Sequence, residues 1–219
     1  MNGPHDLGGQ YGFGRINPEP EISELVFHHD WERKVFAITL ACGFLGKWNI
    51  DEARHARERQ HPVKYLSNTY YQNWLAGLEK LLVEKNLITE KELNTGHPYN
   101  EQMVYTPPDV HEAMNILTKG SPANLQTKKL PKFKKYDRVK VINNHSKGHT
   151  RLPRYVRGCS GTVIRSYGVH IFPDDNAKGI KNGEHLYSVC FKAKELWSEN
   201  NKELNSVCID LWEPYMAKE

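Results

Sequence analysis

The chain has 219 residues, with 30 Lys plus Arg against 26 Asp plus Glu, a formal net charge of +4 and 38% hydrophobic residues. That allows one large domain or two small ones with real cores, and it argues against wholesale disorder. No run of about eighteen apolar residues is present and the first residues lack a basic region followed by an apolar one, so neither a membrane span nor a secretory signal is expected.

Residues 1 to 26 hold Gly3, Gly8, Gly9, Gly12, Gly14, Pro4, Pro18 and Pro20, too much Gly and Pro for a helix or long strand. This reads as an extended arm, and Leu7, Tyr11, Phe13 and Ile16 give it apolar surface to lay over a partner. From Phe27 the pattern becomes helical. Trp31, Val35, Ile38 and Cys42 form a stripe widened by Phe36 and Leu40, with Asp30 placed as the N-cap and Gly43 and Gly46 as the stop. A second helix, capped by Asp51, runs to about Gln60, before Pro62. A third starts at Asn68 and carries Tyr70, Tyr71, Trp74, Leu75, Leu78, Leu81 and Leu82. Thr89 and Glu92 form the capping box of a fourth. Residues 27 to 96 are thus a small helical domain, and residues 97 to 131 a Pro-containing connector with one helix expected over 109–119.

Beyond Lys135 the period shortens towards two. Strands are expected at Val139 and Val141, at Val163, Ile164 and Tyr167, at Leu186 to Phe191, and at Val207, Ile209 and Leu211, with room for a fifth. The fold class is therefore α+β: arm, helical domain, connector, then residues 132–219 as a small half-open β-barrel of the SH3-like kind. Charge divides in the same way. Residues 1–127 carry 12 basic and 16 acidic groups, whereas residues 128–219 carry 18 and 10. The C-terminal part is expected to show a basic face.

Joining the first two strands is Gly148-His149-Thr150-Arg151-Leu152-Pro153-Arg154-Tyr155-Val156-Arg157-Gly158. Three arginines recur at a spacing of three, and Pro153 prevents a helix from running through. The stretch reads as a stiff loop presenting guanidinium groups, which suit paired oxygens on one atom such as carboxylate, phosphate or sulfinate. The chain offers no obvious anion of its own for three such forks, which places the anion on another molecule. A solvated basic loop is the plainer alternative. On the second helix Arg54 and Glu58 are i and i+4, either a surface ion pair or a carboxylate aiming an arginine outward. Tyr70, Tyr71 and Trp74 can all touch, either as core or as a pocket wall with a phenol hydroxyl to orient a substrate. The histidine pairs His28 with His29, His55 with His61 and His145 with His149 lack Cys or carboxylate at ligand spacing, so no metal is expected on this chain. Cys42, Cys159, Cys190 and Cys208 are far apart without a Cys-x-x-Cys pair, which fits reduced thiols in a cytoplasmic protein. Lys128, Lys129, Lys132, Lys134 and Lys135, with Phe133 among them, lead into the first strand.

The whole pattern resembles the β subunit of the nitrile hydratase family. The resemblance rests on Met1-Asn2-Gly3 with His5-Asp6, Gly8-Gly9 and Gly12-Phe13-Gly14. It continues through Phe27, Trp31-Glu32, Asp51-Glu52-Ala53-Arg54 and Tyr70-Tyr71 to the arginine loop, and closes on Phe172-Pro173-Asp174, His185-Leu186-Tyr187, Glu195-Leu196-Trp197 and Asp210-Leu211-Trp212-Glu213. It implies an α-subunit partner, as an α2β2 heterotetramer. That partner holds low-spin cobalt(III), or less readily iron(III), through a Cys-x-x-Cys-Ser-Cys motif with two oxidised cysteines. It implies that Arg54 and Arg151 hydrogen-bond to the oxidised sulfurs, that Tyr70 orients substrate or water, and that Phe36, Ile50, Ala53, Tyr71 and Trp74 line an apolar pocket. Glu58, His149 and Arg157 stand behind them. Trp74 matches the cobalt-type pattern; Cys159 has no role in it. The reaction implied is hydration of a nitrile to an amide. The reading from another class is a basic barrel that binds RNA, which uses the lysine run but leaves the arm, Arg54, Tyr70 and Trp74 without a role.

Overall fold

The computed structural model describes residues 2–99, 105–106, 108–197 and 205–219. Parts of the connector (100–104 and 107), the segment before the last long strand (198–204) and Met1 of the opening motif lie outside the described residues. The chain is α+β and divides into two compact units. One gathers Asn2, residues 6–10 and residues 122–219; the other gathers residues 3–5 and 11–121.

The second unit is helical: α1 (Asp30–Phe44), α2 (Ile50–Glu58), α3 (Pro62–Ser67), α4 (Tyr70–Glu84), α5 (Glu90–Thr95) and α6 (Val110–Lys119). Its core lies where α4 packs on α1 and α2, around buried Val35, Ala56, Leu78 and Leu81. Gly77 permits that approach, since a Cβ there would sit 2.4 Å from Arg57 Cγ. The helix starts follow capping chemistry. Asn49 Oδ1 accepts from the backbone N–H of Asp51 and of Glu52, both at 3.0 Å, and Thr89 with Glu92 forms the reciprocal box expected of α5. Three helix starts fall one or two residues from the predicted ones: the caps are His29, Asn49 and Thr69, where the sequence pattern puts Asp30 and Asp51 as caps and Asn68 as the start of its helix. Asp30 and Asp51 are instead acidic residues inside the first turn, favoured there by the helix dipole.

The first unit is one antiparallel sheet in the order β4-β3-β2-β1-β5, built from β1 (Arg138–Val141), β2 (Ser160–Ile171), β3 (Gly183–Lys192), β4 (Ser206–Trp212) and β5 (Met216–Lys218). Two short helices, α7 (Pro173–Asn176) and α8 (Ala193–Trp197), interrupt the connections. Phe133, Val139, Val141, Val163, Tyr187, Val189, Phe191 and Leu211 fill the core. Gly161 lets β3 close on β2, because a Cβ there would meet Val189 Cγ1 at 2.6 Å. Register shifts between Val163 and Arg165 and between Ser166 and Gly168 bend β2. The sheet is not closed into the expected barrel. Its edges are β4, paired to β3, and the three-residue β5, paired to β1.

Of the expected arm, Asn2 and residues 6–10 fold onto the sheet unit of their own chain. Asp6 Oδ2 accepts from the Arg154 N–H at 2.9 Å, and Gly8 and Gly9 lie against Tyr155 and Trp197, which stack at 5.3 Å. Further along, Tyr11, Ile16 and Ile22 are almost fully exposed.

Candidate functional site

The arginine loop runs between β1 and β2 as predicted, and its apolar residues fix its face. Leu152 and Val156 sink into the sheet core, 3% and 0% exposed. A single 3-10 turn, Arg154–Val156, spaces them. Gly158, at φ +77, takes the left-handed conformation that returns the chain to β1, where its N–H meets the Val141 carbonyl at 3.0 Å.

With that face buried, the three arginines diverge. Arg157 points inward, its side chain 2% exposed. It donates to Asn2 Oδ1 and to the Leu152 carbonyl, and lies 3.8 Å from the Asp6 carboxylate. Burial pulls its guanidinium below the ordinary value, and Asp6 opposes that shift. Arg151 and Arg154 are exposed, and neither guanidinium has a hydrogen-bond or ion-pair partner among the described residues.

The backbone beneath Arg151 is clamped. The Tyr215 hydroxyl accepts from the Arg151 N–H at 3.1 Å and from Thr150 Oγ1 at 3.3 Å, and donates to Asp174 Oδ1. Tyr215 is 3% exposed. Burial raises the Asp174 carboxyl above its ordinary value, while hydrogen bonds from Tyr215 and Thr150 and the charge of His149 oppose the rise. Burial, reinforced by Asp174, drives the Tyr215 phenol far up, so it remains a donor at any working pH. Buried His149 thus belongs to the wall behind Arg151. Tyr215 and Asp174 carried no role in the sequence reading, although Asp174 lies in one of the quoted motifs and Tyr215 stands two residues beyond another. Cys159 sits behind the loop, its thiol directed at the carbonyls of Tyr155 and Glu195.

The helical unit holds the other predicted residues. On α2, Arg54 donates to Asp51 Oδ1 at 3.0 Å. Asp51 is buried and the Arg54 side chain is 41% exposed. The carboxylate aiming Arg54 is thus Asp51, one turn before it, rather than Glu58 one turn after; Glu58 is itself buried and adds to the burial that raises the Tyr65 phenol. On α4, Tyr70, Tyr71 and Trp74 form a mutual cluster with centroids 5.1 to 6.0 Å apart. Phe36 of α1 joins Trp74 at 6.1 Å, and Phe27 bridges Phe36 and Tyr71. Arg57, which the sequence reading passed over, stacks on Trp74 at 4.7 Å.

This cluster is partly open rather than a sealed core. Tyr70 is 66% exposed, and its hydroxyl has no partner among the described residues. Beside it lies a groove of about 620 Å³ lined by Leu25, Val26, His28, Trp31, Tyr70 and Tyr71. Ile50 is 59% exposed at the start of α2, and Ala53 is half-buried one turn on, its carbonyl bonded by Arg57. Among the described residues no group of three or more His, Cys, Asp or Glu has the geometry to hold a metal ion.

Comparison with known proteins covers the whole chain. Residues 1–129 match the family description "Nitrile hydratase beta subunit, N-terminal" and residues 122–218 match "Nitrile hydratase beta subunit, C-terminal". The chain is 36% identical to the nitrile hydratase subunit beta of Pseudomonas putida, over 99% of each chain. It is also 36% identical to the cobalt-containing nitrile hydratase subunit beta of Pseudonocardia thermophila, over 99% of this chain and 96% of that one. A shorter likeness, 36% over 69 residues, links it to the thiocyanate hydrolase subunit alpha of Thiobacillus thioparus, covering 31% of this chain and 55% of that one. The chain belongs to the nitrile hydratase beta-subunit family.

Proposed function

We propose that this chain is the β half of a nitrile hydratase, that it works only with an α subunit, and that the pair adds water to a nitrile to give the corresponding amide. One observation carries the reading furthest. Arg151 presents a guanidinium with no partner of its own from a backbone that is clamped from behind. An exposed arginine on a mobile loop needs no explanation; one on a fixed backbone is prepared for an anion that arrives with another molecule. Arg54 on the helical unit is aimed differently, by a partner: it donates to buried Asp51 while its side chain stays 41% exposed.

In this reading Arg54 and Arg151 hold the oxygens of the oxidised cysteines on the α subunit. The planar fork donates two parallel bonds to paired oxygens and keeps them ionised, which an ammonium cannot do in the same geometry. The metal would be cobalt, in line with Trp74 and with the cobalt-containing relative, and when bound by the α subunit it supplies Lewis acidity. The Tyr70 hydroxyl orients water or nitrile nitrogen. Phe36, Tyr71 and Trp74 exclude water from the substrate's hydrocarbon part, with Ile50 and Ala53 at the edge. Glu58, His149 and Arg157 support the two arginines from behind. The assembly is an α2β2 tetramer in the cytoplasm. The functional division follows residues 1–26, 27–96, 97–131 and 132–219, and the open, bulged sheet is a half-open relative of SH3-like barrels.

The RNA reading stands second. Lys129 and Lys132 are engaged by Glu184 and Glu213, which leaves less of the lysine run for phosphate.

Co-expression with the neighbouring reading frames, followed by co-purification, metal analysis and a nitrile assay, tests the proposal. Recovery of a second chain with a Cys-x-x-Cys-Ser-Cys motif and cobalt, and conversion of nitrile to amide, is the expected result. A chain that purifies alone, metal-free and bound to RNA would overturn it.

A further inference from the structure

We propose that Cys190 and Cys208 are a reversible dithiol–disulfide pair that staples the edge strand β4 to β3. The two residues are directly opposite in the antiparallel ladder, and the register around them runs unbroken from Leu186 with Trp212 to Lys192 with Ser206. Directly opposed residues place their Cβ atoms about 4.5–5.5 Å apart on the same face of the sheet, and a disulfide needs about 3.5–4.5 Å. A small closure of the ladder is therefore enough.

The face matters as much as the distance. Val189, Phe191 and Leu211 point into the core, so Cys190 and Cys208 lie on the opposite side. Cys208 is exposed and Cys190 half-buried, and both are free thiols. Cys42 and Cys159 sit on α1 and behind the arginine loop, and neither pairs with another cysteine. Burial and the neighbouring Cys190 push the Cys208 thiol up, which makes reaction slow at neutral pH and marks the pair as a responder to sustained oxidising conditions.

The oxidant is a small-molecule disulfide of the oxidised glutathione class. The Cys208 thiolate, its proton lost to water, attacks one sulfur of that disulfide and releases the first small thiol. Cys190 then loses its proton and attacks the Cys208 sulfur, which forms the Cys190–Cys208 bond and releases the second. Two protein thiols are oxidised and one small disulfide is reduced to two thiols. The bond closes the chain between α8 and β4 and pins the strand that leads into Glu213 and Tyr215.

This assignment does not depend on the hydratase reading. The test is peptide mapping of the full-length chain, in whatever complex it purifies with, after equilibration with a redox series of oxidised and reduced glutathione under native conditions. The expected result is one linked peptide pair, Cys190 with Cys208, that loses two hydrogens relative to the reduced form, returns on reduction, and raises Tm by roughly 5–10 °C. Cys190→Ser should leave only a mixed disulfide on Cys208, with Tm unmoved by the redox series. Four free thiols at the oxidising end, a stable glutathione adduct on wild-type Cys208, or a cross-link through Cys42 or Cys159 would each overturn the proposal.

Discussion

Replacing Tyr215 by Phe removes a single oxygen and leaves the ring against Phe172 at 5.4 Å and Trp212 at 6.2 Å. Packing is kept, so the effect isolates the clamp. The Arg151 N–H loses its acceptor, and the Asp174 carboxylate loses a donor in a partly buried site. A neutral buried hydrogen bond is worth about 1 kcal/mol and one to a charged group about 2 kcal/mol, so the expected loss is about 3 kcal/mol. In a protein of this size that lowers Tm by roughly 6–12 °C. The loss has a signature in pH. The Asp174 pKa is already raised above its ordinary 3.8 in the folded chain, and without the Tyr215 donor it rises further. The deficit of the variant is therefore complete where Asp174 is ionised in both proteins. It shrinks as pH falls through the variant's pKa and then through the wild-type one, because protonation removes the poorly solvated charge. Calorimetry of both proteins from about pH 8 to about pH 4 measures it. If Arg151 acts as proposed, nitrile hydration falls by about 100-fold, since a displacement near 1 Å is enough for that. A Tm deficit below about 2 °C at neutral pH, or one that grows on acidification, refutes the clamp.

Arg54→Lys and Arg151→Lys should each reduce nitrile hydration by about 100-fold or more, with Tm within a few degrees of wild type because Arg151 is exposed and a lysine at 54 keeps a positive charge beside Asp51. Steady-state kinetics with metal analysis of the purified complex decides this, and activity near wild type in both would remove the arginines from the proposal. Asp6→Ala takes the carboxylate from buried Arg157 and the acceptor from the Arg154 N–H. It should cost about 3 kcal/mol by urea unfolding and expose the first ten residues to protease. Gly77→Ala places a methyl 2.4 Å from Arg57 Cγ and should cost about 1–3 kcal/mol while displacing Arg57 from Trp74, which near-ultraviolet circular dichroism would register.

Much of the fold could be read ahead because local chemistry determined it. Period-two runs located the strands, and the Thr89–Glu92 box located the start of α5. What escaped depended on less local terms. The helices α3 and α7 both begin on a proline, and Pro62 read as a stop when its missing N–H suits a first helical turn equally well. Closure of the sheet could not be counted from strands, since it turns on bulges in β2 and on a β5 only three residues long. At the site, Arg54 and Glu58 at i and i+4 suggested a pair, but Asp51 at i−3 is the carboxylate that reaches the guanidinium. Spacing alone cannot choose between neighbours on one helical face.

The arginine loop shows why spacing undetermines function more sharply. Arg151, Arg154 and Arg157 are equivalent in the sequence pattern and opposite in fate, because the alternative faces of the loop are chosen by Leu152 and Val156 entering the core. Once that choice is made, Arg157 must be buried, and a buried guanidinium is tolerated only with partners. Asn2, Asp6 and the Leu152 carbonyl supply them, so the inward arginine binds the start of the chain to the loop. The same event leaves Arg151 outward on a backbone fixed by Tyr215 and Asp174, sixty-four and twenty-three residues away. An outward charge on a fixed backbone loses little further entropy when it meets an anion, whereas the same charge on a mobile loop would have to be ordered first. In the proposed function Arg157 and the Tyr215 clamp therefore belong with Arg151: they hold still a guanidinium that has no partner among the described residues.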